Sequence, residues 1–185
     1  FDTTKMELTG EPVSVAEQVG DTNGSMALFS ASTNGVLIYK KVSGRDLQLT
    51  WYDRQGSVLG TVGGPAPYSS LSLSPDGARA SVSRTDPRSE NQDLYLLDLS
   101  GKTAAERFTS DPGRDLMPVW SPDGSHIAFL SYRSGGIGLY QKASSGPVRE
   151  ERLQELGSLA FLSDWSRDGR FLVYAIEGGP QSNAD

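Results

Sequence analysis

Short apolar or alternating runs recur along the chain, and each run follows a polar turn that contains glycine. Because successive side chains of a strand point to opposite faces of a sheet, such runs predict strands with at least one buried face. Glu150–Leu156 has the composition of a helical turn, but its place in the pattern favours an outer strand and loop. The runs predict the strands Val36–Lys40, Ala78–Ser83, His126–Ser131 and Arg170–Ala175.

The turns that precede these strands form a repeat. Proline presets φ for the first central position of such a turn, and glycine accepts the positive φ that strains other residues. Successive turn serines are 42, 47 and 45 residues apart, which is too long for one hairpin and fits four short strands with their turns. The turns read Ser-Thr-Asn-Gly at 32–35, Ser-Pro-Asp-Gly at 74–77 and 121–124, and Ser-Arg-Asp-Gly at 166–169.

Each repeat predicts four strands in the same order: an inner strand before the turn, the run after it, a third strand and a more polar fourth strand. Radial repetition of such sheets is a β-propeller. We therefore predict an all-β fold, namely part of a β-propeller with about four blades of four-stranded antiparallel sheet, one of them incomplete. The remaining predicted strands are Ala27–Ser30, Ser70–Leu73, Pro118–Trp120 and Phe161–Trp165 (inner), Leu47–Tyr52, Leu94–Leu99 and Gly138–Lys142 (third), and Ser57–Val62, Ala104–Thr109 and Val148–Leu153 (fourth).

The repeat divides the chain, 1–185, into parts of a single propeller segment. Either the two ends combine into one shared blade, or the chain is an excerpt of a longer propeller. The second interpretation is favoured, and its open strand edges predict self-association or strand swapping. The predicted parts are the outer strand of an incomplete blade at 1–16, blades at 26–63, 69–109 and 117–153, and the inner strands of a last, incomplete blade at 158–176.

Composition narrows the functional classes. The 185 residues are 36% hydrophobic and 22% charged, with 21 glycines and 10 prolines, which is typical of a turn-rich globular domain. The net charge of −6 comes from mixed acids and bases without a basic stripe, which argues against nucleic acid as a partner. No apolar run approaches the roughly 20 residues that span a bilayer, so no membrane span is predicted in this chain. The absence of cysteine excludes disulfides, thiolate metal sites and cysteine nucleophiles.

Ser121, Asp123 and His126 invite comparison with a catalytic triad. A triad needs three converging side chains, whereas serine and aspartate in a tight turn bond mostly to local groups. The related turns keep the serine and an acidic or amide residue without a histidine, so we predict no catalytic residue. With one histidine, no cysteine and a loop at 86–93 that lacks the residue order of a calcium loop, we also predict no metal and no cofactor.

The loops at the far ends of the predicted strands carry a second candidate site. Loops that join the second and third strands share one propeller face with the loops that join neighbouring blades. Binding residues concentrate on loops held by a rigid scaffold, which makes this face a candidate ligand rim. A solvated charged rim without a ligand is the alternative. The candidate rim residues are Arg84, Arg114, Asp115, Tyr132 and Arg133.

The repeats also resemble a known family. The units DLMPVWSPDGSHIAFLSYRSG and YSSLSLSPDGARASVSRTDP, the latter followed by DLYLLDL, are similar to the repeats of TolB-like propellers. The wider series, from LTWYDRQGSVLGTVG to EERL and DWSRDGRFLVY, resembles the propeller region that follows the kinase domain and membrane span of many bacterial transmembrane serine/threonine kinases. The resemblance runs from about Phe1 to Ala175. No kinase motif occurs in the chain, so no phosphotransfer activity is implied.

The resemblance implies a non-catalytic binding or scaffolding module that lies in the periplasm or outside the cell, with the cytoplasm as the other option. Its partner would be a protein or a small molecule. One alternative is the gating propeller of a prolyl-oligopeptidase-like hydrolase, although that family's Gly-x-Ser-x-Gly motif does not occur in this chain. Another is a self-contained hydrolase or lactonase propeller, which needs loop carboxylates around a metal.

Overall fold

A computed structural model describes residues 46–133, 135–147 and 149–177, together with the backbone of two strands at 29–31 and 37–39. The outer strand predicted at 1–16 and the turn predicted at 32–35 lie outside the described residues. The strands predicted to begin at Ala27 and Val36 are described only in part. The statements below on side chains therefore begin at Asp46.

Four antiparallel sheets follow one another along the chain, and within each sheet the strands lie in chain order. The prediction of an all-β fold built from four-stranded antiparallel sheets is confirmed. The first sheet contains β1 (Phe29–Ala31), β2 (Leu37–Tyr39), β3 (Leu47–Tyr52) and β4 (Val58–Ala66). The second contains β5 (Tyr68–Leu73), β6 (Arg79–Thr85), β7 (Gln92–Asp98) and β8 (Glu106–Arg107). The third contains β9 (Arg114–Trp120), β10 (His126–Tyr132), β11 (Gly138–Ala143) and β12 (Glu151–Glu155), and a two-stranded sheet follows with β13 (Ala160–Trp165) and β14 (Leu172–Ile176).

The inner strand β9 is longer than the sequence predicts, because Pro118 lies within the strand and not at its start. The ladder between β9 and β10 shifts register between Ala128 and Leu130. Met117 there has a φ of 53°, and its amide donates a hydrogen bond to Ser70 Oγ at 3.2 Å. Proline has no amide hydrogen for the ladder, and a bulge is one of the few places where a strand accommodates it.

The outer strands differ more from their predicted bounds. β8 has only two residues because the amides of Phe108 and Thr109 both donate to the carbonyl of Leu94, at 2.7 and 3.3 Å, which ends the ladder. The Thr109 hydroxyl also accepts the Leu94 amide at 3.0 Å. β12 begins later than predicted, at Glu151, and the expectation of an outer strand in place of a helical turn is confirmed.

Neighbouring sheets pack face to face through three hydrophobic clusters. One cluster joins the first and second sheets, one joins the second and third, and one joins the third sheet to β13 and β14. Each large apolar side chain that becomes fully buried contributes about 1.5–3 kcal/mol. Members of the three clusters are Leu49 and Val82, Leu94 and Phe129, and Leu130 and Leu162, respectively.

The three described serine turns share one geometry. In each turn the glycine amide donates to the serine carbonyl, at 2.9, 2.9 and 2.8 Å. The serine hydroxyl oxygen accepts the backbone amide five residues later, at 2.9 Å in every case. Gly77, Gly124 and Gly169 have φ values of 69°, 71° and 74°, so the predicted positive φ is confirmed in all three.

Gly124→Ala tests how much this turn contributes. A Cβ at Gly124 would meet no close neighbour, since the nearest atom is Pro75 Cδ at 3.7 Å, so the cost comes from the positive φ alone. We expect a loss of about 1 kcal/mol in the free energy of unfolding, measured by urea titration. Gly60→Ala is the matched control, because a Cβ there meets nothing within 4 Å and φ is not positive. Equal stability of the two variants would contradict this account of the turn.

Candidate functional site

The polar side chains of the Ser121–Gly124 turn hold the turn itself. Ser121 Oγ donates to Asp123 Oδ1 at 2.6 Å, and the backbone amide of His126 donates to Ser121 Oγ at 2.9 Å. The His126 ring is engaged elsewhere, with 2.8 Å between its Nδ1 and Ser125 Oγ. These bonds agree with the interpretation of the trio as a turn, because the imidazole does not reach the serine hydroxyl that a triad would activate.

The same hydrogen bonds determine the charge state of the turn aspartates. The Ser121 hydroxyl, followed by the amide and hydroxyl of Ser125, lowers the pKa of Asp123 to about 2. In the related turns Asp76 and Asp168 accept the same serine hydrogen bond at 2.6 Å, and it lowers the pKa of each. Each of the three turns thus stabilises an ionised aspartate carboxylate, and the turns at Ser74 and Ser166 do so without a histidine.

The five candidate rim residues lie at the end of the sheets opposite these turns. Arg114, at the start of β9, pairs in register with Tyr132 at the end of β10, and Arg84 pairs with Tyr68 at the corresponding end of the second sheet. The structure does not gather the five into one cluster. They divide among an internal ion-pair cluster, a stack of an exposed arginine on a half-buried tyrosine, and a cleft between two sheets.

Arg133 is the centre of the ion-pair cluster in the third sheet. Its guanidinium nitrogens lie 3.0 Å from Asp115 Oδ1 and 2.5 Å from Glu150 Oε2. A third carboxylate, that of Asp111, is 3.5 Å away, and the guanidinium carbon lies 4.4 Å from the centre of the Tyr140 ring. The Arg133 side chain is 13% exposed and that of Asp115 is 0% exposed. Burial raises the pKa of Asp115, against the effect of its hydrogen bonds. Arg133 is its ion-pair partner, while the other carboxylate oxygen, Oδ2, is buried without a hydrogen-bond partner.

A second internal ion pair lies in the second sheet. The buried carboxylate of Asp93 is 2.6 Å from a guanidinium nitrogen of Arg107, whose Nε donates to the carbonyl of Thr109 at 2.9 Å. Burial raises the pKa of Asp93, and Arg107 opposes the rise. Sequence reasoning missed this pair and Glu150, since the partners are 14 and 17 residues apart along the chain. The available signal was an aspartate directly before the apolar run of β7.

Arg114 is the exposed member of the predicted rim, and it lies beside the half-buried Tyr132. Arg114 lies over the Tyr132 ring, with 5.9 Å between the guanidinium carbon and the ring centre. Its Nη2 donates to Gln92 Oε1 at 2.7 Å, and Gln92 Nε2 donates to Ser69 Oγ at 2.6 Å. Gly113 brings the preceding loop close to β10, since a Cβ there would lie 2.7 Å from the carbonyl oxygen of Tyr132. The stack is therefore held by the fold and faces solvent.

Arg84 occupies a different place, in the cleft between the first and second sheets. Its guanidinium carbon lies 4.7 Å from the centre of the Tyr95 ring. Tyr68 lines the same cleft and donates from its hydroxyl to the carbonyl of Gly64 at 3.1 Å. Tyr68 and Arg84 are paired in the strand register, and the positive charge of Arg84 opposes the rise in the pKa of Tyr68 that burial causes.

Neither a metal-binding cluster nor a membrane-spanning helix is found in the part of the chain that the structure describes. No three or more histidine, cysteine, aspartate or glutamate side chains come together there in a way that would hold a metal ion. No described helix is long and apolar enough to cross a membrane.

Comparison with known proteins identifies the family. The sequence profile of the TolB beta propeller domain matches residues 54–183. The chain belongs to this family. Among curated proteins, this TolB-type chain is 40% identical over 53 residues to the Tol-Pal system protein TolB of Bordetella pertussis, which covers 29% of the chain and 12% of that protein. It is 51% identical over 43 residues to the TolB homolog of Chlorobium chlorochromatii, which covers 23% of the chain and 10% of that protein.

Solved structures give the same answer for the fold. TolB from Acinetobacter baumannii has a TM-score of 0.65 and 25% identity over 82% of the TolB-type chain, which spans 38% of that structure. A TolB from Agrobacterium tumefaciens has a TM-score of 0.62 and 26% identity over 80% of the chain and 54% of that structure. A gluconolactonase from Xanthomonas campestris has a TM-score of 0.59 and 15% identity over 76% of the chain and 52% of that structure, a likeness of fold alone.

The lowered pKa of Asp123 predicts a pH effect on stability. Because the carboxyl of Asp123 has a lower pKa in the folded state than in the unfolded chain, its ionisation stabilises the fold above about pH 4. This contribution disappears as the pH falls toward the folded-state pKa of about 2. Asp123→Asn should be less stable at pH 7, and its stability should fall less steeply between pH 4 and 2. Urea unfolding across this pH range measures both effects. Glu106→Gln, an exposed change in β8, is the control, and parallel pH profiles for Asp123→Asn and the unmodified protein would refute the prediction.

The burial of Arg133 predicts a structural role that its neighbour Arg114 lacks. Arg133→Met leaves the carboxylate of Asp115 buried without its cation, so we expect a loss of about 3 kcal/mol or more in the free energy of unfolding. Arg114→Met, at an exposed position, should change stability by no more than about 0.5 kcal/mol. Thermal and urea unfolding compare the two. Similar losses in both variants would contradict the division of the rim into internal and exposed parts.

Proposed function

We propose that this chain is a non-catalytic protein-interaction module of the TolB type, with its contact surface at the end of the third sheet that carries Arg114 and Tyr132. The observation that carries the proposal is the family match over 54–183 together with the relationship to a Tol-Pal system protein. The chain spans about a tenth of the length of the curated relatives that it matches, at 12% and 10%, so the proposal concerns this module alone.

The proposed contact surface has the chemistry of a protein-binding site. Arginine and tyrosine are enriched among the residues that dominate protein interfaces, since both combine a flat apolar surface with hydrogen-bonding groups. The stacked pair is oriented before any partner arrives, because Gln92 holds Arg114 and the tight contact at Gly113 holds the loop. Pre-orientation reduces the entropy lost on binding.

The proposed compartment is the periplasm, by relationship to the Tol-Pal system protein. The finer interpretation, that the module is the extracytoplasmic propeller of a sensor kinase, stays a prediction, as does the gating propeller of a hydrolase. The use of the Ser121 hydroxyl and the Asp123 carboxylate to hold a turn supports a non-catalytic role. The reading frame on either side of this segment would separate these finer interpretations.

A direct binding measurement tests the proposal. The probe is the purified Pal protein of the source organism, chosen because the relatives are named for the Tol-Pal system. We expect Arg114→Glu to weaken binding by tenfold or more, or about 1.4 kcal/mol or more, without changing the melting temperature. Arg167→Ala, an exposed change in the turn at the opposite end of the sheets, is the matched control and should bind normally. Unchanged binding by Arg114→Glu would refute the surface, and no binding by the unmodified chain would refute the partner.

A further inference from the structure

Two arginines lie over equivalent tyrosines in successive sheets. Tyr95 of β7 pairs with the eighth residue after the turn serine of the second sheet, and Tyr140 of β11 pairs with the eighth residue after the turn serine of the third. Arg84 lies over Tyr95 at 4.7 Å, and Arg133 lies over Tyr140 at 4.4 Å. Arg84 stands ten residues after its turn serine and Arg133 twelve, so the two sheets offer a comparison of two guanidiniums over equivalent rings and not of equivalent positions in the strand.

The carboxylates that neutralise Arg133 have uncharged counterparts in the second sheet. Two of the carboxylate residues and their counterparts lie the same number of residues before the turn serine of their own sheet. One of these two matched pairs also occupies the same position in the strand register. In each sheet, two residues of the outer strand pair with the tyrosine and with the residue that follows it. The third matched position is the residue just before these two. The matched residues are Asp111 and Gly64, Asp115 and Tyr68, and Glu150 and Ala105.

Arg84 has no replacement for these missing carboxylates. Among the described residues it forms no ion pair, and its buried Nε has no hydrogen-bond partner. Buried donors are satisfied in nearly all native structures, so an unpaired guanidinium nitrogen requires an explanation. The contact with Tyr95 supplies attraction to a ring face but no acceptor in the plane of the guanidinium, which is where carboxylates bind.

A cavity of 490 Å³ lies where the carboxylates would be. Gly64, Tyr68 and Ala105, the three counterparts, all line it together with Arg84. Its volume is within the range of about 300–1,000 Å³ that is usual for small-molecule sites. Apolar side chains form another part of the lining, among them Val62, Ala66, Leu97 and Pro87.

The two acidic residues of the cavity do not neutralise Arg84. Asp98 binds the amide and hydroxyl of Ser100 at 2.9 and 2.8 Å and the hydroxyl of Thr103 at 3.2 Å. Asp46 is exposed and forms no ion pair with Arg84 in the described structure. The positive charge of Arg84 thus faces a cavity of mixed polar and apolar lining without a carboxylate partner, and its buried Nε has no hydrogen-bond partner among the described residues.

We propose that the cleft between the first and second sheets binds a small carboxylic acid with an apolar body. The ligand carboxylate takes the place that Glu150 and Asp115 occupy in the third sheet and accepts hydrogen bonds from the Arg84 guanidinium. The apolar body packs against the aliphatic wall. This site is separate from the Arg114–Tyr132 surface and does not rest on the proposed function.

Ligand titrations followed by NMR test the proposal on the intact chain. The probes are 3-phenylpropionate and 4-methylpentanoate, with their primary amides as uncharged controls of the same shape. We expect both carboxylates to shift the Arg84 Nε–H resonance in a saturable manner and the amides to leave it unchanged. Arg84→Met should weaken carboxylate binding by about tenfold or more, since a hydrogen bond to a charged group is lost. Arg114→Met, outside the cleft, should bind as the unmodified chain does.

A second variant restores the missing carboxylate from within the chain. Ala105→Glu supplies the counterpart of Glu150, so it should raise the melting temperature of the free protein by about 2–4 °C and abolish the response to the probes. Gly64→Asp, the counterpart of Asp111, is the alternative if Ala105→Glu does not fold, since a Cβ at Gly64 meets nothing within 4 Å. Ala175→Glu, at an exposed position of β14, is the control and should change neither property.

Each result of these experiments supports or overturns a stated part of the proposal. Saturable shifts with the carboxylates that disappear in Arg84→Met and in the acidic variants establish the site. An Arg84 resonance that moves with neither carboxylate overturns the proposal. Carboxylate binding that survives in Arg84→Met or in the acidic variants overturns the location, and shifts of equal size with the amides overturn the role of the charge.

Discussion

The structure depends on the packing of neighbouring sheets face to face, which buries both faces of the second and third sheets. Alternate residues of β7 show this directly: Tyr95 and Leu97 belong to the cluster shared with the first sheet, whereas Leu94 and Leu96 belong to the cluster shared with the third. A one-residue slip of such a strand would exchange the two sets, so register, sheet order and packing are determined together. This two-sided burial makes the sheets radiate from their inner strands, as in a propeller.

The two ends of the sheets use the repeat in opposite ways. At the turn end, the same serine, aspartate and glycine recur with nearly the same hydrogen bonds in three copies, which is typical of a structural element. At the other end each copy differs. Arg133 is neutralised by carboxylates from its own sheet and the adjoining loops, Arg84 faces a cavity, and the exposed Arg114 stacks on a half-buried tyrosine. The repeated turn residues maintain the scaffold, whereas the residues that differ between sheets determine the charge and hydrogen bonding at the opposite end.

Much of the fold could be predicted because it is determined by local chemistry. The spacing of the turn serines and the periodicity of the runs predict the sheets, and the positive φ of Gly124 follows from the turn type. Strand ends were harder, since they depend on contacts between strands. Pro118 signals a strand start, yet a bulge hydrogen-bonded to Ser70 of the neighbouring sheet carries the strand through it. β8 ends early because two amides share one carbonyl.

The sequence by itself therefore determined the class of fold, the order of strands and the absence of a triad in the Ser121 turn. It also identified which residues lie at the variable end of the sheets. Only the tertiary structure decided what those residues do, because their charges are compensated or left unpaired by groups distant along the chain. Arg133 meets Glu150 from the loop before β12, while the matched position beside Arg84 holds Ala105, and no local pattern distinguishes the two arginines. Electrostatic environment depends on position in space, whereas turn and strand preferences depend on neighbours in sequence.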